Sequence, residues 1–172
     1  MNDDAKPRDR VMVALEGGRA LIQILGLGTL KFGPALRQFI EEAESAGVHE
    51  AVVDLSCCES LDSTMMGLFA GFGLRLRRGG GRLVLSAPNE RVGRLLHTLG
   101  VDRVAEVSAS AAEGAADVVP LEGGGGPAAN KAILEAHESL IEADEANRER
   151  FRDVIEFLRD HMRRHRDEEV RE

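Results

Sequence analysis

EAVVDLSCCESLDSTMMGLFAGFGLRLRR, residues 50–78, changes period part-way along. Its first residues, "EAVVDLS", are compact and rich in β-branched side chains, which predicts a strand over 50–56. Further on, Met65, Leu68, Phe69, Phe72 and Leu76 recur at helical spacing and predict a helix over 64–78. The junction "LDSTMMG", residues 61–67, therefore sits where a strand hands over to a helix. Asp62 or Ser63 is suited to cap that helix. Gly67, Gly71 and Gly73 lie inside it, and each costs roughly 1 kcal/mol relative to alanine. Close approach of another backbone, or of a partner, would compensate for that cost.

Working outward, "VMVAL" (11–15) and "ALIQIL" (20–25) flank "EGGR", whose Gly17-Gly18 suits a tight hairpin turn. Pro34 fits the first turn of a helix carrying Leu36, Phe39, Ile40 and Ala43, and Gly47 ends it. "GGGRLVLS" gives a turn and a strand over 82–86. Asn89 caps a third helix with Val92, Leu95, Leu96 and Leu99 on one face, and Gly100 ends it. "VDRVAEV" reads as a last strand. The order β-β-α-β-α-β-α-β predicts a small mixed α/β sheet: an antiparallel opening hairpin, then parallel strands joined through helices.

Residues 1–10 read as a flexible, charged N-terminus, 11–108 as the α/β domain, and 109–128 as an Ala/Gly-rich linker. Residues 129–172 read as a helical hairpin, 129–142 and 145–166, with Asp144 able to cap the second helix. That extension holds 9 basic and 13 acidic residues. Its polar side is solvated, and its apolar faces must pack on something. The glycine-rich linker lets the hairpin reach outward, which favours dimerisation or docking on a partner over folding back.

Composition narrows the function. The 172 residues carry a net charge of −8, which argues against a nucleic-acid partner. The first ten residues lack the apolar core of a signal peptide, and no apolar stretch is long enough for a membrane span, so a cytoplasmic protein is expected. Cys57 and Cys58 are adjacent and read as two small loop or core residues. "GLGTLKFG" lacks the last glycine of a dinucleotide fingerprint. His161 and His165, at i and i+4, give half a metal site with no third ligand. Ser63 with His97 as base would be a nucleophile lacking the usual elbow and any orienting group. No cofactor, metal or catalytic role is expected, and the chain reads as a non-enzyme.

The remaining feature is Ser63. At the first turn of a helix its hydroxyl is exposed beside free N–H groups. A phosphate there is tolerated by the helix, yet adds about −1.5 to −2 charges next to Asp62. An apolar or acidic partner surface would be repelled, so the site has the makings of a switch.

The run "VVDLS", "LDSTMMG", "GGGRLVLS" and "RLLHTLGV" closely resembles the STAS domain of bacterial anti-sigma-factor antagonists, over residues 11 to about 108. The resemblance implies partner switching in signal transduction and transcription regulation. Ser63 corresponds to the serine phosphorylated by an anti-sigma kinase of the histidine-kinase-like ATPase type, a mark removed by a PP2C-type metal-dependent serine phosphatase. The unphosphorylated form captures the anti-sigma factor. Asp62 and Thr64 flank the site, and the start of the helix, Met65 and Met66 included, is partner surface. Two positions depart from the family pattern. Met65-Met66 replaces Gly-Leu and reads as an adaptable apolar contact. Thr29, in "GLGT", stands where the family's Gly-Glu-Leu-Asp carries an acidic residue that helps engage the kinase. That departure supports a rival reading, a constitutive STAS scaffold without phospho-control; a third, an enzyme or small-ligand binder, rests on Ser63 and His97 alone.

Overall fold

The computed structural model describes residues 8–115 and 117–171. Most of the expected N-terminal tail, residues 1–7, lies outside the described residues. Arg10 already opens the first strand, and the Asp9 carboxylate accepts the Leu27 N–H at 2.9 Å.

Strands β1 (Arg10–Glu16) and β2 (Arg19–Gly28) form the antiparallel opening pair, in register from Arg10↔Leu25 to Glu16↔Arg19. Gly17 and Gly18 turn between them at φ 57° and 77°, a conformation that costs glycine little. Helix α1 (Gly33–Ser45), strand β3 (Glu50–Asp54), helix α2 (Ser63–Arg78), strand β5 (Arg82–Ser86), helix α3 (Glu90–Thr98) and strand β6 (Glu106–Ser108) follow. Two further strands are β4 (Cys58–Leu61) and β7 (Val119–Pro120). The strand order is β6-β5-β3-β2-β1-β7, with β4 paired to the end of β2. β2, β3, β5 and β6 run parallel. The mixed sheet with a leading hairpin is thus the one its periodicities predict, and Asn89 caps α3 by accepting the Val92 N–H.

Alternation along the strands divides the core. Val11, Val13, Ile22, Ile24, Ala51 and Val53 join Leu36, Phe69, Phe72 and Leu96 in the main core. Ala14, Leu21 and Val52 point the other way, and Ala112, Ala115 and Val118 pack on them. This explains why the segment 109–128 is more than a linker. The sheet's second face needs an apolar cover, and β7 then pairs with β1 through Met12↔Pro120 and Val13↔Val119. β4 escapes a periodicity reading because it is only four residues long and meets β2 across a register shift.

The C-terminal hairpin consists of α4 (Pro127–Ala143) and α5 (Asn147–Glu169). Asp144 accepts the Ala146 N–H at 3.1 Å in the turn between them. The hairpin does not reach outward here: α4 lies along α2 of the same chain. Gly67 explains how. A Cβ at that position would lie 2.2 Å from the Ala136 carbonyl oxygen, so glycine is what lets the two backbones meet. Gly73 serves the same purpose against the Val104 carbonyl, 2.5 Å from its would-be Cβ.

Asn147, fully buried, fastens the hairpin: its side-chain N–H groups donate to the Leu99 carbonyl at 2.9 Å and the Leu140 carbonyl at 2.7 Å. Asn147→Leu leaves both carbonyls without that donor. It is expected to destabilise the chain by about 2–3 kcal/mol, read as a lower urea midpoint with an unchanged slope.

Candidate functional site

The site is built at the N-terminus of α2. Asp62 is its cap: one carboxylate oxygen accepts the Met65 N–H at 2.9 Å, and the other accepts the Leu30 N–H at 2.6 Å. One side chain thereby ties the turn after β2 to the start of α2, which brings Thr29 and Ser63 to the same end of the sheet. Thr29 and Asp62 are half-buried. Because Asp62 does the capping, the Ser63 hydroxyl at the first helical position is not needed for it.

That hydroxyl has a different partner. Ser63 Oγ lies 3.0 Å from Nε2 of His137 on α4, and Nδ1 of His137 lies 2.7 Å from the Ile133 carbonyl. A carbonyl only accepts, so Nδ1 carries the hydrogen and Nε2 of the neutral ring accepts from the serine O–H. His137 is 4% exposed, and its ring meets Phe151 edge-on at 4.7 Å. Burial pushes its pKa below the ordinary histidine value, while the Ile133 carbonyl and the Asp62 charge push back. A neutral base on a hydroxyl has elements of an activated nucleophile. Here, however, a carbonyl and not a carboxylate orients the ring, and α4 itself lies on the hydroxyl.

The depressed pKa has a pH consequence. Released from α2, His137 regains a value near 6.5. The docked arrangement therefore has its full stability above about pH 6.5 and loses it as pH falls, because only the released form takes up the proton readily. Ser63, Asp62, Phe151 and the Ile133 carbonyl are the groups that face the ring. Lowering pH from 7.5 to 5.5 is expected to lower the melting temperature of the wild-type chain more than that of His137→Gln; parallel curves would contradict this assignment.

His137 was not among the residues the sequence singles out. Its signal was there: one histidine on an otherwise small, apolar helix face of Ala129, Ala132, Ala136 and Leu140. His97, considered as a base for Ser63, is instead an exposed residue of α3 bonded to Asp102 at 2.6 Å. Thr64, Met65 and Met66 are 3%, 0% and 3% exposed. All three are buried, and the methionine pair belongs to the core, where it fills the space beneath the junction and does not form an outward contact surface. Cys58 is buried, which pushes its thiol up to about 12, and Cys57 is exposed. His161 and His165 stack edge-on at 4.3 Å, and no group of three metal-ligating side chains occurs among the described residues.

Residues 11–107 match the family model described as "Mlab, STAS domain". The chain belongs to the STAS domain family. No curated protein matches it. Among solved structures, its STAS fold is similar to a crystal structure of TM1081 from Thermotoga maritima, a candidate anti-sigma factor antagonist. The TM-score is 0.51 at 20% identity, over 56% of this chain and 83% of that one. The NMR structure of TM1081 gives 0.50 at 19% identity, over 64% and 85%. The anti-sigma factor antagonist SpoIIAA in its unphosphorylated form gives 0.46 at 19% identity, over 56% and 86%. No helix among the described residues is long and apolar enough to cross a membrane.

Proposed function

We propose that this STAS protein is a non-enzymatic anti-sigma factor antagonist that works by partner switching in the cytoplasm, with Ser63 as its reversible phosphoacceptor. The observation that carries the reading is the division of labour at the head of α2. Asp62 supplies the cap, so the neighbouring hydroxyl, at the positive end of the helix, is not needed for capping. The kinase is an anti-sigma factor of the histidine-kinase-like ATPase type. In the transfer, the γ-phosphorus of ATP bonds to Ser63 Oγ as its bond to the ADP oxygen breaks, and the hydroxyl proton passes to a base of the kinase. A PP2C-type phosphatase hydrolyses the ester back to serine and phosphate. Asp62 and Thr29, accessible beside Ser63, complete the contact surface.

Affinity capture of the full chain from its native cells tests this. Wild-type bait is expected to retain an ATPase of that type, and Ser63→Asp bait to retain much less. Equal recovery by both baits would favour a constitutive STAS scaffold. That second reading has one observation behind it, Thr29 in place of the family's acidic residue beside Asp62.

A further inference from the structure

The face of α2 that carries Ser63 is occupied. Ser63, Gly67 and Gly71 sit on successive turns, and α4 touches each of them. His137 takes the hydroxyl of Ser63, the Ala136 backbone fills the space over Gly67, and Ser139 Oγ lies 2.7 Å from a Cβ built on Gly71. Two ion pairs flank this seam: Arg37 with Glu135 holds α4 to α1, and Arg78 with Glu142 holds it to α2. Phosphoryl transfer needs phosphorus to approach Oγ to about 3–3.5 Å, in line. With Nε2 of His137 at 3.0 Å and α4 over the next two turns, a second protein cannot dock along this face.

Asn147 anchors the far end of the hairpin, while the end of α4 near Ser63 is held by small side chains. The residues α4 buries are Ala129, Ala132, Ala136, His137 and Leu140, so only one is a large apolar side chain. Close backbone contact over the glycines of α2 gives this seam its fit. At the start of α4, Gly125 and Gly126 have open space around them, and Gly126 adopts φ 78°. They provide a hinge just beyond Gly124, whose N–H is held by the Lys31 carbonyl at 2.7 Å.

We infer that the α4–α5 hairpin is an internal competitor for the Ser63 face: docked, it shields the serine from partner proteins, and a phosphate on Ser63 and a docked α4 exclude each other. The inference deepens the function proposed above and rests on it for the identity of the partner. Apparent partner affinity is the open-state affinity scaled by the fraction of chains that are open, and anything that holds the hairpin open without changing Ser63 raises it. Because coupling is reciprocal, a phosphate that cannot coexist with docked α4 also keeps the hairpin released.

The test needs no sigma-pathway component. Ser63→Cys in a Cys57→Ser background is labelled with a maleimide bearing a long polyethylene glycol chain, with and without Gly67→Ala. Hydrogen exchange over residues 127–143 reports α4, and exchange in β3 and β5 confirms the fold. Labelling is expected to speed up at least about tenfold when Gly67→Ala releases α4. Full-chain protein carrying phosphoserine installed at position 63 during translation is expected to show a similar gain in α4 exchange. Rapid labelling while α4 stays protected would overturn the inference, as would an α4 equally protected with phosphoserine. Neither result depends on partner capture, so a failed capture and a failed cover are told apart.

Discussion

Gly67→Ala is expected to lift α4 off α2 while leaving the STAS sheet folded. The added methyl would sit 2.2 Å from the Ala136 oxygen, a backbone atom that no rotamer change can move aside. Backing α4 away costs about 1–3 kcal/mol of packing. It also breaks the Ser63–His137 hydrogen bond, worth about 1 kcal/mol. Meanwhile the alanine favours α2 by about 1 kcal/mol once α4 has gone, because glycine is a poor helix residue. Together these shift the docking equilibrium by roughly 3–5 kcal/mol, at least on the order of a hundredfold. Hydrogen exchange would register it as faster exchange by about that factor across 127–143, with β2, β3 and β5 still slow. Unchanged protection of α4 would show that the seam tolerates a methyl group and that the close approach does not hold the hairpin.

The second large effect concerns the partner. Phosphoserine at position 63 is expected to weaken binding of the proposed anti-sigma ATPase by about a thousandfold, equivalent to roughly 4 kcal/mol. The modification brings about −1.5 to −2 charges beside Asp62 without removing the cap that organises the helix. The fold thus survives while the contact is lost. Titration calorimetry on phosphorylated and unmodified chains measures the gap, which should narrow as salt screens the repulsion. Affinities within about twofold would leave Ser63 without a switching role.

The elements of the sheet were legible because their causes are local. Short apolar runs on either side of a glycine turn marked β1 and β2, helical spacing marked α1, α2 and α3, and Gly17-Gly18 and Asn89 marked a turn and a cap through their own backbone chemistry. What could not be read depends on contacts between distant parts of the chain. β7 exists because Leu21 and Val52 need covering from a segment about 90 residues away in the case of Leu21, and that segment's own composition suggests only flexibility. The glycines of α2 announced a close approach but not its occupant; Ala136 and Val104 supply it. At the site, Asp62, Ser63 and Thr29 were legible and lie together. Met65 and Met66 gave the wrong impression of an outward surface, since an apolar residue in a helix's first turn has the same sequence signature on either side. His137 was missed because its significance lies wholly in Ser63, 74 positions away.

The most direct measurement is the modification state of Ser63 itself, by quantitative mass spectrometry of the full chain taken from its native cells under several growth conditions. Two populations are expected, differing by one phosphate on the peptide containing Ser63, with the phosphorylated one depleted from the fraction bound to the ATPase. A serine that stays unmodified in every condition, bound or free, would contradict the account.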